Sequence, residues 1–158
     1  MTTERLRQTI AVLALVGFFV ALYLWLHALG IGGALKCGTG ACETVQTSRW
    51  AVFLGLPVAL YGVVGYGALF LVAILALRPA ALAQGGWNRA LFAMATLGLL
   101  FTLYLTYAEL FLIHAICRWC VGSALIITTT WILTLLGLRS PATRTDRGAS
   151  PPPRDQPA

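Results

Sequence analysis

Residues Ala90 to Leu138 read ALFAMATLGLLFTLYLTYAELFLIHAICRWCVGSALIITTTWILTLLGL, and this run decides the fold. Its first stretch, Ala90 to Ile113, carries Glu109 as its only charge, and its second, Trp119 to Leu138, carries none. A helix needs about 20 apolar residues to cross the hydrocarbon of a bilayer. The run therefore reads as two spanning helices that hand over to one another near Cys117 and Cys120. Working outward, Ala51 to Leu77 and Thr9 to Leu29 are also uncharged and long enough to span. A lipid solvent requires each such segment to satisfy its own backbone hydrogen bonds, so helix is the only economical conformation. Composition agrees: 158 residues with 59% hydrophobic and 10% charged side chains, at a mean hydropathy of +0.83, exclude an ordinary soluble domain.

The expectation is an all-α integral membrane protein: a four-transmembrane-helix bundle with a cysteine-bearing outer loop between helices 1 and 2. The transmembrane domain covers residues 1–138, with spans at about 9–29, 51–77, 90–113 and 117–138. The 21 apolar residues of the first span exceed a typical signal-peptide core, so the first helix is expected to remain uncleaved. Residues 139–158, with three consecutive prolines at Pro151 to Pro153 and little apolar content, are expected to form a disordered cytoplasmic tail.

Basic residues set the orientation, because loops rich in Lys and Arg stay in the cytoplasm. Arg5, Arg7, Arg78, Arg89, Arg139, Arg144, Arg147 and Arg154 fall on one face of the bundle, and Lys36, Arg49 and Arg118 on the other. Both termini are thereby expected inside. The formal net charge of +6 is mostly this topology signal, and nothing suggests a nucleic-acid partner.

Four cysteines remain to be explained: Cys37 and Cys42 between spans 1 and 2, Cys117 and Cys120 between spans 3 and 4. Spans 1 and 3 end on the same side, so all four sulfurs meet one compartment, the outer one, where disulfides form and persist. One reading is two inert staples. Another is a zinc site of four thiolates, which an oxidising compartment disfavours. The third is a thiol-disulfide relay. A Cys-x-x-Cys pair at a helix start is a recurrent redox arrangement. There the sulfur of Cys117 would face unpaired N–H groups and the positive end of the helix dipole, with Arg118 adjacent. Two glycines in Cys37-Gly-Thr-Gly-Ala-Cys42 allow a compact, mobile loop that can take electrons from a soluble protein and reach the second pair.

The residues also resemble the vitamin K epoxide reductase family in its small bacterial form, over roughly residues 9 to 138. The resemblance is carried by the loop pair Cys37/Cys42, by Thr47-Ser48-Arg49-Trp50, by Leu54-Gly55-Leu56-Pro57-Val58-Ala59-Leu60-Tyr61-Gly62, and by Glu109-Leu110-Phe111-Leu112-Ile113-His114-Ala115-Ile116-Cys117-Arg118-Trp119-Cys120. It implies a bundle around a quinone of the ubiquinone or menaquinone type, with no metal. Cys37 and Cys42 would then be the shuttle pair and Cys117 and Cys120 the active-site pair, with Cys120 facing the quinone and Cys117 exchanging with the loop. The partner implied is an extracytoplasmic thioredoxin-like disulfide oxidase acting in trans, since no thioredoxin domain is fused, and the electrons pass to the membrane quinone pool. The implied activity is that of a quinone-dependent thiol-disulfide oxidoreductase in a bacterial inner membrane. The alternatives are a vitamin K epoxide or quinone reductase proper, and a non-enzymatic membrane protein with structural disulfides or a thiolate metal site.

Ser48 matches a serine that the family keeps near the end of its outer loop and is a candidate cofactor contact. Its plainer role is a helix N-cap or a solvated hydroxyl. Glu109 lies eight residues before Cys117, about 12 Å along a helix. An intramembrane carboxylate invites a proton-relay role, but a structural hydrogen bond or contact with outer water is the plainer reading. Tyr61, Tyr66, Tyr104 and Tyr107 are read as packing and interfacial residues. Some family members place a polar residue early in span 2 or a tyrosine one turn after the second cysteine pair. Here those stretches read Pro57-Val58-Ala59 and Ser123-Ala124.

Overall fold

The computed structural model describes residues 3–31, 41–82 and 85–139. Cys37, Lys36 and residues 140–158 of the tail lie outside the described residues. Four helical segments are long and apolar enough to cross a membrane: Thr3–Ala28, Val58–Ala76, Gly86–Ile113 and Arg118–Arg139. The chain is thus an all-α, multi-pass membrane bundle. In chain order the elements are α1 (Thr3–Ala28), α2 (Ala41–Gln46), a 3₁₀ turn (Arg49–Ala51), β1 (Val52–Phe53), β2 (Leu56–Pro57), α3 (Val58–Ala76), α4 (Pro79–Leu82), α5 (Gly86–Tyr107), a π-helical turn (Ala108–Ile113) and α6 (Arg118–Arg139).

The largest difference from the sequence reading is at the second span, which begins at Val58 rather than near Ala51. Residues 51–57 instead complete the 3₁₀ turn and form a two-stranded antiparallel hairpin, with Val52 opposite Pro57 and Phe53 opposite Leu56. The cause is local. Leu54 and Gly55 both take positive φ, 51° and 82°, as a two-residue hairpin turn requires, and Pro57 has no N–H to join an α ladder. Hydropathy is blind to both effects.

The helix α1 packs most extensively on α3 and also on α6, while α5 packs mainly on α6 and more sparingly on α3. In lipid, helices gain little from apolar burial against one another, so close contact relies on small residues. Ala14, Ala73 and Ala95 are fully buried, and Gly17 lies flat beneath the Tyr66 ring, where a Cβ would collide with the ring carbons.

The two ends of the bundle are closed differently. At the end holding the start of α1, the buried Arg7 donates from Nε to Asn88 Oδ1 at 3.0 Å and from Nη1 to the carbonyls of Ala76 and Ala81. Asn88 in turn donates to the Gly137 carbonyl at 3.1 Å. One side chain therefore ties α1 to the last turn of α3 and to α4 and α5, and through Asn88 to α6. At the other end α2, the hairpin and the α5–α6 crossover form a cap. Phe53 is held in it by ring contacts to Tyr61, Phe101 and Tyr104, with centroids 5.8, 5.7 and 6.4 Å away. Tyr61 also donates to the Phe53 carbonyl at 2.9 Å.

Candidate active site

Cys117 sits at the turn that starts α6. Its carbonyl accepts the N–H of Val121 at 3.0 Å, so Cys117 occupies the N-cap position, where a side chain can accept from the orphan N–H groups of the first turn. Cys117 and Cys120 are both free thiols. The thiol of Cys120 hydrogen-bonds the sulfur of Cys117, and the N–H groups of Cys120 and Trp119 add to it. These contacts outweigh burial and the nearby Glu109 carboxylate, lowering the Cys117 pKa to about 7. Arg118, expected to help, is exposed and is not among the causes.

The two sulfurs face different surroundings. Cys117 is completely buried in a cluster with Leu24, Val45 and Cys42. Cys42 is also completely buried and is disulfide-bonded. Cys120 instead stands in the wall of a cavity of about 430 Å³. Walls come from α1, α3, α5 and α6, closed above by Gln46, Trp50 and Phe53, and are mostly apolar and aromatic. The size falls in the range of small-molecule and cofactor sites. The polar groups in the wall are few. Ser123 and Tyr66 satisfy each other, the Tyr66 hydroxyl donating to the Ser123 carbonyl at 2.9 Å and lying 3.0 Å from Ser123 Oγ. A flat apolar ring fits such walls, with the Cys120 sulfur at its edge.

Of two further residues at the site, Gln46 was not singled out from the sequence, and Glu109 reads there as a proton relay or, more plainly, as a structural hydrogen bond or a contact with outer water. Gln46 donates from Nε2 to the Cys120 sulfur at 3.9 Å. The signal available was spacing, since Gln46 lies four residues after Cys42 and shares its face if α2 is helical. Glu109 is buried, at 6% exposure, so it does not reach outer water. It accepts the N–H of Cys117 on Oε2 at 3.2 Å and stands with Cys120 in the cavity wall. Straight-helix spacing had placed it about 12 Å away. The π turn and the left-handed His114, at φ 55°, fold the crossover back on itself. The Glu109 carbonyl receives the N–H groups of His114 and Ala115, so its main chain and side chain together hold the turn. Such π turns occur often at functional sites.

Ser48 is placed differently from the expectation of a cofactor contact. Its hydroxyl donates to the Val45 carbonyl at 2.7 Å, it makes no side-chain cap bond to the 3₁₀ turn, and it is not in the cavity wall. Arg49 stacks on Trp50, its guanidinium carbon 4.9 Å from the ring centre. Of the four tyrosines, Tyr61 and Tyr66 line the cavity and Tyr104 and Tyr107 do not.

Residues 8–135 match the model of the vitamin K epoxide reductase family. The chain belongs to the vitamin K epoxide reductase family. Its members are membrane oxidoreductases associated with quinones, and the matched residues contain the whole bundle apart from the ends of α1 and α6.

Proposed function

We propose that this member of the vitamin K epoxide reductase family is a quinone-dependent thiol-disulfide oxidoreductase that reoxidises a thioredoxin-like partner outside the cytoplasm. The observation that carries this reading is the division of labour between adjacent sulfurs. Cys117, acidified and buried, shares a cluster with Cys42, while Cys120 opens on the apolar cavity. In the forward direction the partner's dithiol reduces the Cys37/Cys42 pair, which then reduces the Cys117–Cys120 disulfide by exchange. A thiolate is the attacking or leaving sulfur in each exchange. The loop pair attacks at Cys117, which Cys42 adjoins, forming a mixed disulfide and expelling Cys120. The second loop sulfur then attacks Cys42 and expels Cys117, whose low pKa makes it a good leaving group. Because Cys42 is fully buried beside Cys117, Cys42 is the loop sulfur that meets the active-site pair.

The quinone supplies the two-electron sink. Gln46, Trp50 and Phe53 roof its cavity and exclude water, and Cys120 presents the sulfur at which electrons leave the protein. The basic residues support an orientation with the four cysteines outside and both termini cytoplasmic, and the proposed setting is a bacterial inner membrane. The test is anaerobic quinone reduction by the purified protein, driven by a reduced thioredoxin-like protein. Wild type is expected to turn over, and Cys120→Ala is expected to fall to the uncatalysed background. Absence of turnover in wild type with both ubiquinone-type and menaquinone-type acceptors would overturn the reading, and turnover of the epoxide would place the chain with the epoxide reductases proper.

A further inference from the structure

Glu109 is an uncommon object: a carboxylate in a spanning segment, buried, with no cation beside it among the described residues. Intramembrane ionisable groups are expensive and persist where they have a partner or a task. Its hydrogen-bond partner here is the N–H of Cys117 at 3.2 Å. It also stands in the cavity wall with Cys120, so one group adjoins the reacting pair and faces the space where electrons are received.

We propose that Glu109 is a catalytic residue, the base that takes the proton from the Cys120 thiol when this sulfur gives up its electrons, and that passes it into the cavity. This rests on the quinone-coupled reading above. The balance is as follows. The S–H bonds of Cys117 and Cys120 break and the S–S bond between them forms, releasing two electrons and two protons. The quinone takes both electrons and ends as the quinol with both protons. Glu109 carries the proton that leaves Cys120 Sγ, and the other leaves Cys117 Sγ.

The geometry favours this over a purely structural role. The N–H of Cys117 could be held by any acceptor, including a carbonyl or an amide oxygen. A carboxylate that shares the cavity wall with the Cys120 thiol, in contrast, is placed to accept its proton, as a general base must be. Among the described residues no other group at the cavity offers the same service. The contributions of α1 to its wall, Val20, Ala21 and Leu24, are apolar. From α3 the titratable group that lies deepest is Tyr66, already bound to Ser123, while Tyr61 is bound to the Phe53 carbonyl. Gln46, from α2, does not titrate, and Cys42 is in a disulfide. The remaining titratable neighbours are Cys117 and Cys120 themselves.

Glu109→Gln keeps the shape and the acceptor for Cys117 but cannot accept a proton, and Glu109→Asp keeps the proton acceptor on a shorter arm. Two measurements on the full chain in detergent decide the matter. In quinone reduction, Glu109→Gln is expected to lower kcat by about 100-fold, the low end of general acid–base contributions, with KM for quinone little changed and Glu109→Asp intermediate. The second needs no quinone: the rate of alkylation of Cys120 by N-ethylmaleimide, in a Cys117→Ser background, followed from acid to alkaline pH. A carboxyl and a thiol sharing one proton titrate as a pair, giving a pH-independent shelf between the two proton losses. Glu109→Gln is expected to replace the shelf by a slope of one, slower than wild type in acid and faster in base, while Glu109→Asp retains it. A Glu109→Gln protein with wild-type kcat and an intact shelf would overturn the proposal. If the Gln variant does not fold, the Asp variant carries the test, and a slope of one there overturns it equally. A shelf present in wild type and lost in Glu109→Gln, in a protein that reduces no quinone, would support the proton transfer and overturn the quinone reading alone.

Discussion

Arg7 and Glu109 are the two charged side chains buried among the described residues, and they lie at opposite ends of the bundle. Arg7 directs its hydrogen bonds to carbonyls at the ends of other elements and to Asn88, groups with no chemistry of their own. It acts as a clasp, placing a positive group where the carbonyls of α3 terminate, which the helix dipole favours. Glu109 faces the beginning of a helix, where the N–H of Cys117 is its partner and the Cys120 thiol shares its cavity. The same expense, a charge removed from water, supports architecture at one end and reactive groups at the other. What distinguishes them is the neighbouring group: a carbonyl can only accept a hydrogen bond, whereas a thiol can give its proton away.

The comparison can be broken by substitution. Arg7→Leu leaves the Ala76 and Ala81 carbonyls and Asn88 without their donor. Hydrogen bonds from a charged group contribute about 1.5–3 kcal/mol each, so the bundle is expected to lose about 3 kcal/mol of stability, read as a lower midpoint of thermal unfolding in detergent. Turnover per folded molecule is expected to stay the same. A collapse of turnover in folded Arg7→Leu would mean that the clasp end also serves the chemistry. Next in size is Gly17→Val, which drives methyl groups into the Tyr66 ring. Overpacking of this kind costs about 1–3 kcal/mol, and because Tyr66 is in the cavity wall, the unfolding midpoint and the affinity for quinone should fall together. Glu109→Gln, in contrast, should shift the unfolding midpoint least of the three while losing the most activity.

The subtlest difference concerns acidity. The Cys117 thiol is lowered to about 7, against about 8.5 for an ordinary cysteine. The thiolate is the reactive form. Alkylation of Cys117 should therefore level off above about pH 7 and fall tenfold per pH unit below it. Removing the leading cause with Cys120→Ala should move the midpoint upward, as followed by mass spectrometry of differentially alkylated protein. A midpoint of about 8.5 in wild type would show that neither Cys120 nor the helix start acidifies Cys117.

Spanning helices, their number and the pairing of Cys117 with Cys120 at a helix start were legible because they depend on composition and on spacings of a few residues. The hairpin at Val52–Pro57 was not, because Val52, Phe53, Leu54 and Leu56 are as apolar as a helix would be. Only the Leu54-Gly55 turn and Pro57 distinguish it. Glu109 was visible as an intramembrane charge, but its contact with the Cys117 N–H depends on a π turn and on a left-handed His114, neither of which has a sequence signature. Ser48 shows the converse. A position matched by resemblance was read as a candidate contact, and its hydroxyl is instead taken up by the Val45 carbonyl three residues earlier.

The π turn at Ala108–Ile113 makes the site sensitive to arithmetic as well as to chemistry. Each residue added to or removed from an α-helix rotates everything beyond it by about 100°. A single deletion between Glu109 and Ile113 would leave hydropathy, charge and all four cysteines untouched, yet it would turn the carboxylate and the crossover out of register. In this segment the spelling of the chain matters less than its length, and a gap of one position is a more consequential change than most substitutions.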